Sequence, residues 1–430
     1  MERIAPAPNP QSRANLVLIA GILFNLSISV LYSWSVIKSQ LMAPVAEGGF
    51  GWTSAQAGLP YTVAIVFFAI GVLVGGIIQD RIGPRKVISA GGLLVGLGFV
   101  LSSVAGDSFI GITIAYGIVT GTGIGLGYGC VSPCTLKWFH PSKKGMVTGL
   151  VVGGFGLTAV YLAPAAKQLL SAFGISSTFM LLGVVTAIVA VALAQFIDNP
   201  KPGYVPAVPK NLPEQAANPK TVNVSWKDMV KTKEFALMFV LFALSSSVGL
   251  MVIGNISKIA GIQDPLNAVG YAALLVALLA VFNTVGRVIG GMLSDKIGRI
   301  NTLLAAFAIQ AVNMLLFSVF DNFLLFTLGA LLVGFSYGTL LSVFPSMTAD
   351  LFGLKNYGTN YGIVFLGWGL SGVLAPVIAD IVLDLTGTFT LAYFICAAIM
   401  ALCLFLGFLC RKTLTGSHKV ANITTDPLPE

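Results

Sequence analysis

Long apolar runs alternate with short polar segments along almost the whole chain. A transmembrane helix needs about 20 mostly apolar residues, and the charges that interrupt such runs mark the loops. The pattern predicts twelve membrane spans, at approximately 15–37, 56–79, 87–105, 109–136, 145–166, 178–197, 235–256, 268–293, 300–320, 323–348, 357–380 and 390–410. The predicted fold class is therefore an all-α polytopic membrane protein whose main partner is the lipid bilayer.

Composition agrees with a lipid environment. Hydrophobic residues make up 56% of the chain and charged residues only 9%, whereas a typical soluble domain has about 25% charged residues. The net charge of +8 reflects scarce acids, 16 against 24 Lys and Arg, with no basic stripe. The sequence thus predicts no nucleic-acid partner. The five cysteines show neither zinc nor secreted-disulfide spacing, so no metal and no cofactor is expected.

Basic residues set the predicted orientation, because cytoplasmic loops hold an excess of Lys and Arg. With the amino terminus inside, the predicted outer loops hold only Lys38, Lys167 and Lys258. Every other basic residue except Arg287 falls in a cytoplasmic segment. We therefore expect both termini in the cytoplasm. A multi-pass chain with such short loops suits the inner membrane of a prokaryotic cell, and we expect a monomer.

The longest predicted loop, 198–234, divides the chain. It is expected to be an extended linker because prolines cannot continue a helix, and it contains Pro200, Pro202, Pro206, Pro209, Pro213 and Pro219. Six spans lie on each side. The predicted organisation is an amino-terminal bundle at 1–197, a carboxy-terminal bundle at 235–410 and a cytoplasmic tail at 411–430.

The two halves repeat one motif. Span two ends in Gly76-Ile77-Ile78-Gln79-Asp80-Arg81-Ile82-Gly83, and span eight ends in Gly291-Met292-Leu293-Ser294-Asp295-Lys296-Ile297-Gly298. Two matches in equivalent loops indicate an internal duplication. Parallel repeats of six helices are typical of the major facilitator superfamily, which the chain resembles over nearly its whole length. That resemblance implies a gating role for Gly76, Asp80, Arg81, Gly83, Gly291, Asp295, Lys296 and Gly298. A purely topological anchor is the alternative, and the two are compatible.

Glycines recur every four residues on two neighbouring spans. Span four carries Gly117, Gly121, Gly125 and Gly129, and span five carries Gly145, Gly149 and Gly153. Such spacing forms a stripe of small residues that lets membrane helices approach closely. We expect spans four and five to pack on each other and to slide during gating, with a purely structural role as the alternative.

Arg287 lies within the apolar run of span eight, well before the cytoplasmic loop. A cation at that depth costs from about 2.5 to more than 10 kcal/mol, so it should face a polar cavity, although snorkelling to the inner surface is an alternative. The candidate acids all lie in outer loops or near span ends: Asp107, Asp264, Asp321, Asp350, Asp380 and Asp384. A substrate carboxylate is then the most economical partner, because it matches the guanidinium fork. Asn283, four residues earlier, shares that helix face.

Further segments extend the resemblance. They are Tyr32-Ser33-Trp34, Lys137-Trp138-Phe139, Phe344-Pro345-Ser346, Asp350-Leu351-Phe352-Gly353 and Asn360-Tyr361-Gly362. On these the chain resembles the oxalate:formate antiporter and bacterial monocarboxylate porter branch, relatives of the animal proton-linked monocarboxylate transporters. The resemblance implies that Arg287 binds the substrate carboxylate and that Tyr128 and Tyr337 assist. Simple packing is the alternative for either tyrosine.

Two departures from the family pattern narrow the expected substrate. Oxalate carriers of this branch have a lysine on span eleven, where Trp368 aligns, so a single fixed positive charge favours a monoanion. The animal transporters have an aspartate four residues before the arginine, where this chain has Asn283. We expect Leu31, Phe365 and Trp368 to enclose the small apolar end of the substrate.

The expected function is transport of a small monocarboxylate anion, L-lactate or pyruvate, together with a proton by alternating access. An organic anion exchanger of the oxalate/formate type is the nearest alternative. A drug:proton antiporter usually has a membrane-embedded carboxylate, and none is visible in the sequence. A nutrient receptor would need a signalling extension. An enzyme is not expected, because His140 and His418 both fall in cytoplasmic segments.

Overall fold

The computed structural model describes residues 10–209, 223–264 and 268–414. The linker is thus described only at 198–209 and 223–234, and the tail only at 411–414. The predicted cytoplasmic Arg3, Lys210, Lys220 and Lys419 lie outside the described residues, as do His418, Pro213 and Pro219. Within the described ranges the chain is helical with short turns, as the fold class predicts.

The observed helices follow the predicted spans closely. Span one consists of Pro10–Ile28, a 3-10 turn at Val30–Ser33 and a short helix at Trp34–Met42. In the rest of the first half, span two is Ser54–Ile82, span three is Pro84–Val104 and span four is Phe109–Leu136. In the second half, span seven is Lys233–Gln263, span eight is Ala268–Ile297 and span nine is Arg299–Phe317. Span ten is Phe323–Phe352, span eleven is Tyr357–Thr386 and span twelve is Thr390–Leu409. Span four contains a π-helical segment at Thr113–Thr120. Short helices lie at Trp226–Met229 and Arg411–Leu414.

Spans five and six lie within Lys144–Ala194 as two helices that meet at a kink at Gly174. The sequence predicts a separating loop there, marked by Lys167. Lys167 is instead exposed on the helix, and one exposed lysine does not end a helix. The break comes at Gly174 because its φ of 73° and ψ of 179° lie in a region that favours glycine.

The two copies of the motif also share the same backbone conformation at their last glycine. Gly83 has φ 87° and ψ 159°, and Gly298 has φ 93° and ψ 152°. Each glycine is the single residue between two helices, and its positive φ turns the chain from span two into span three or from span eight into span nine. The two halves therefore use the same one-residue turn at equivalent positions.

The glycine stripes bring together spans other than those predicted. A methyl group on Gly121 would overlap the backbone of Ala64 on span two, and one on Gly149 would overlap the carbonyl oxygen of Arg287 on span eight. The prediction that these stripes pack spans four and five on each other is thus wrong. Spacing of four identifies a close-contact face, but it does not identify the helix that fills it. Span five instead joins the first half of the chain to the second.

Candidate functional site

Arg287 lies deep in span eight with only 1% of its surface exposed. Its Nε donates a hydrogen bond to Asn283 Oδ1 at 3.1 Å, and its Nη1 donates to the carbonyl oxygen of Val152 at 2.6 Å. Asn283 is one turn away on the same helix, whereas Val152 belongs to span five in the other half. The guanidinium therefore bonds the two halves together, and a ligand that takes its donors competes with that contact.

Glycines of span five make room for the arginine. A methyl group on Gly156 would lie 3.5 Å from the guanidinium carbon and 2.7 Å from Thr284 Oγ1. Gly149, two turns earlier, lies against the Arg287 backbone. Larger side chains on this face would push span eight away and break the bond to Val152. The glycine stripe of span five thus positions the charge.

A cavity of about 20 Å³ adjoins the guanidinium. We call it the arginine cavity; it is lined by Phe68, Tyr128, Phe155, Arg287, Tyr337, Leu341, Phe365 and Trp368. Arg287 is the one charged side chain among these lining residues. The space is enough for about one water molecule, so a three-carbon substrate requires the walls to move apart.

The structure brings together five of the predicted site residues. Tyr128, Tyr337, Phe365 and Trp368 line the arginine cavity with Arg287. Asn283 is fully buried and orients the guanidinium, but it does not line the cavity. Its Nδ2 makes no hydrogen bond within the described structure. Leu31 lines a neighbouring cavity instead.

Phe68, Phe155 and Leu341 also line the arginine cavity, and they are not among the residues that the sequence predicts for the site. All three are apolar residues within apolar runs, and the chain has 28 phenylalanines. No signal in the sequence separates the cavity members from those that only pack. Their position depends on how the helices face one another.

Trp368 is held firmly at the cavity wall. Its Nε1 donates a hydrogen bond to Tyr337 Oη at 2.7 Å. Its ring stacks on Phe365 with centroids 4.8 Å apart and planes at 22°. The indole therefore forms a firmly held, uncharged part of the cavity wall.

Asp80, near the end of span two, and Asp295, near the end of span eight, each contact the half of the chain to which they do not belong. Asp80 Oδ2 accepts hydrogen bonds from the Thr359 backbone N–H at 3.0 Å and from Thr359 Oγ1 at 2.9 Å. Asp295 accepts from the backbone N–H groups of Gly145 and Met146, both at 2.8 Å. Each carboxylate thus caps the first turn of a helix in the other half, where the helix dipole favours negative charge.

Comparison with known proteins fits this architecture. The sequence profile of the Major Facilitator Superfamily matches residues 16–262 and 243–426. This chain belongs to the major facilitator superfamily. Members of this superfamily are transporters and not enzymes. The two matches together cover most of the chain, one on each half.

Several curated proteins resemble this superfamily member over most of its length. The uncharacterized MFS-type transporter YhjX of Escherichia coli (strain K12) is 29% identical over 371 residues, covering 85% of this chain and 87% of that protein. The oxalate:formate antiporter of Oxalobacter formigenes is 27% identical, covering 85% and 88%. Monocarboxylate transporter 12 of Mus musculus is 26% identical, covering 76% and 71%.

Solved structures agree on the superfamily fold. The transporter FucP aligns with a TM-score of 0.64 at 17% identity, over 91% of this chain and 99% of that one. The human organic anion transporter MFSD10 aligns with a TM-score of 0.68 at 14% identity, over 93% and 100%. At these identities the likeness shows the fold alone.

In this superfamily member, ion pairs reinforce the contact between Asp295 and the start of span five. Arg299 Nη1 lies 2.6 Å from Asp295 Oδ1, and Arg299 Nε lies 2.8 Å from Asp350 Oδ2. Lys144 Nζ lies 2.9 Å from Asp350 Oδ1. The chain of ion pairs joins spans five, eight, nine and ten. Within the part of the chain that the structure describes, Asp80 has no such ion pair.

We expect Asp295→Asn to open this end of the transporter. Hydrogen bonds to a charged group contribute about 1.5–3 kcal/mol each, so the closed arrangement should become at least roughly tenfold less favoured. The reporter is Ser132→Cys, in a background without the five native cysteines. Ser132 is buried one turn beyond Tyr128 on span four. Its labelling by a membrane-permeant maleimide should become faster.

Asp384→Asn is the matched control, because Asp384 is exposed near the opposite end of span eleven. That variant should label at the wild-type rate. Equal labelling of the Asp295→Asn and wild-type reporters would contradict the gating role.

Proposed function

We propose that this protein is a proton-coupled secondary transporter of short monocarboxylates such as L-lactate or pyruvate. The observation that carries the proposal is the arginine cavity. It lies between the two halves, its walls are mostly aromatic, and Arg287 is the charged member of its lining. A buried guanidinium recognises a carboxylate through parallel N–H donors. One positive charge in an apolar cavity is suited to one negative charge.

Some of the remaining lining residues would make polar contacts with the substrate, and others would make apolar contacts. We infer that the hydroxyl groups of Tyr128 and Tyr337 reach the carboxylate or the substituent on the second carbon. Phe365 and Trp368 then contact the methyl end. Asn283 acts indirectly in this scheme, because its Oδ1 holds the guanidinium. Leu31 faces the approach to the site.

The bond from Arg287 to Val152 supports a coupling of binding to movement. A carboxylate at the guanidinium takes donors that now reach span five, and it neutralises the charge. The loaded site can then be enclosed at lower desolvation cost than the empty, charged site. We propose that the bundles 1–197 and 235–410 rock about this point, while the 198–234 linker connects them. The proton travels with the acid or on a group beside the arginine.

An organic anion exchanger of the oxalate/formate type is the second candidate. The observation in its favour is the likeness to the oxalate:formate antiporter of Oxalobacter formigenes over 85% of this chain. The same arginine would serve both functions. The difference is whether the empty carrier can change conformation without an anion.

Orientation follows from the distribution of basic residues. We propose an inner-membrane location with both termini in the cytoplasm and a monomeric transporter. The motifs around Asp80 and Asp295 would then close the cytoplasmic side.

Uptake of labelled lactate and pyruvate into proteoliposomes tests the proposal. With an inward proton gradient, we expect initial uptake to rise severalfold above that at equal pH, because proton entry drives the acid inward. Uptake indifferent to the gradient would exclude proton symport. If uptake required preloaded formate, exchange would be the correct function. If neither acid entered under any condition, the monocarboxylate proposal would be wrong.

A further inference from the structure

Two cavities meet at one set of aromatic side chains. Beside the arginine cavity lies a second cavity of about 30 Å³, which we call the outer cavity. Both are lined by four shared residues, which we call the aromatic septum: Phe68, Phe155, Tyr337 and Trp368. The remaining members of the outer cavity are Leu31, Tyr61, Ile65, Leu250 and Ile253. The septum therefore separates the charged cavity from an uncharged one.

The outer cavity lies on the side away from the aspartate motifs. Tyr61 and Ile65 precede Phe68 on span two, and Phe68 itself is twelve residues, about 18 Å of helix, before Asp80. Leu31 belongs to the 3-10 turn that interrupts span one. The motif end is closed by the contacts of Asp80 and Asp295, and the outer cavity lies on the other side of the arginine cavity.

Phe68 is the septum member that joins the two halves. Within its own half its ring centroid lies 5.3 Å from Tyr128 and 5.6 Å from Phe155. Across the interface it lies 5.4 Å from Phe365 and 5.2 Å from Trp368. The ring is 2% exposed. Any separation of the halves at this level changes the contacts of Phe68 on one side.

The other side of the septum is fixed more firmly. The hydrogen bond between Trp368 and Tyr337 ties span eleven to span ten within the second half. Phe68 has only ring contacts, so rotating its side chain breaks no hydrogen bond. Its backbone stays in place, because span eleven lies directly against span two: a methyl group on Gly369 would come within 2.6 Å of the Ala69 side chain. The mobile element is thus a phenyl ring on a fixed backbone.

We propose that Phe68 is the size gate between the outer cavity and Arg287, and that it restricts transport to acids with short carbon chains. This inference rests on the proposed function for its substrate class. An acid bound by its carboxylate at Arg287 points its carbon chain at the septum. A chain of two or three carbons requires only a small displacement of the cavity walls, whereas a longer or branched chain needs the space that the Phe68 ring occupies.

Replacing Phe68 should therefore change specificity and not only activity. We compare uptake of pyruvate and of 4-methyl-2-oxopentanoate, which has the same carboxylate and keto group but a branched six-carbon chain. In Phe68→Ala the ratio of kcat/KM for the longer acid to that for pyruvate should rise about tenfold or more, the range in which hydrophobic pockets discriminate. Phe68→Leu should give an intermediate ratio. It replaces Phe68→Ala as the test if the alanine variant does not fold.

Phe99→Ala is the matched control, because it also removes a fully buried phenyl ring. Phe99 lies on span three against Tyr116 and Phe179, outside both cavities. Loss of packing alone should lower both uptake rates together and leave the ratio unchanged. An unchanged ratio in both Phe68 variants, with pyruvate still transported, would overturn the size gate and leave the proposed function intact.

A second measurement tests the gate without any substrate. Leu341 lines the arginine cavity but not the outer cavity. In a background without native cysteines, Leu341→Cys should react severalfold faster with a small water-soluble thiol reagent added outside when Phe68→Ala is also present. Equal rates with and without Phe68→Ala would overturn the gate. If wild-type protein transports no monocarboxylate, the proposed function fails, and this labelling still decides whether Phe68 controls access.

Discussion

Arg287→Lys should reduce kcat/KM for lactate or pyruvate by roughly 30-fold or more. Truncating one partner of a buried, hydrogen-bonded charge pair costs about 2–5 kcal/mol, and each 1.4 kcal/mol is about tenfold. Lysine keeps the charge but loses the planar fork. It cannot reproduce the pair of bonds that Arg287 makes to Asn283 and Val152. Initial uptake rates in proteoliposomes, at several substrate concentrations, measure the effect.

Arg411→Lys is the matched control for this substitution, because Arg411 is exposed at the start of the last short helix. It should transport as the wild type does. Both proteins should be compared for monodispersity and thermal stability in detergent before reconstitution. An Arg287→Lys protein that is folded and transports at the wild-type rate would contradict carboxylate binding by the guanidinium fork.

Gly291→Val should abolish most transport by preventing closure at the motif end. A side chain on Gly291 would overlap the carbonyl oxygen of Gly145, and one on Gly145 would overlap that of Gly291. Overpacking typically costs about 1–3 kcal/mol, and here the overlapping atoms are backbone, which no rotamer change can relieve. The cost falls on the closed arrangement, so the open one gains population. Uptake should fall at least about tenfold.

A labelling measurement distinguishes failure to close from misfolding as the cause of the lost transport. The Ser132→Cys reporter should label faster in Gly291→Val than in wild type, because the motif end stays open. Gly254→Val is the matched control: a methyl group on Gly254 of span seven meets nothing within 4 Å. It should transport and label normally. Normal transport by Gly291→Val would show that closure does not require this contact.

The sequence predicted the helices well, because long apolar runs and the charges between them are local signals. The repeat around Asp80 and Asp295 is equally visible, since both copies keep the two glycines, the aspartate and a basic residue after it. Arg287 was found for a similar reason: a charge within an apolar run is conspicuous. Between spans five and six only the position of the break differs, because the helix continues past the exposed Lys167 and is interrupted at Gly174.

What the sequence did not reveal depends on which helices face each other. The carbonyl group of Val152, which accepts a bond from Arg287, is a backbone atom and has no residue-type signature. The glycines of span five indicated a close contact, but only the structure identifies span eight as the partner. Phe68 and Phe155 resemble every other phenylalanine in an apolar run until the two halves are brought together.

In the proposed mechanism a single buried guanidinium selects a carboxylate. Isothermal titration of the purified wild-type protein with pyruvate and with its uncharged amide, pyruvamide, tests this most directly, because the two ligands have nearly the same shape. Hydrogen bonds to charged groups contribute about 1.5–3 kcal/mol, so we expect pyruvate to bind at least about tenfold more tightly. Equal affinity for the acid and the amide would contradict the account.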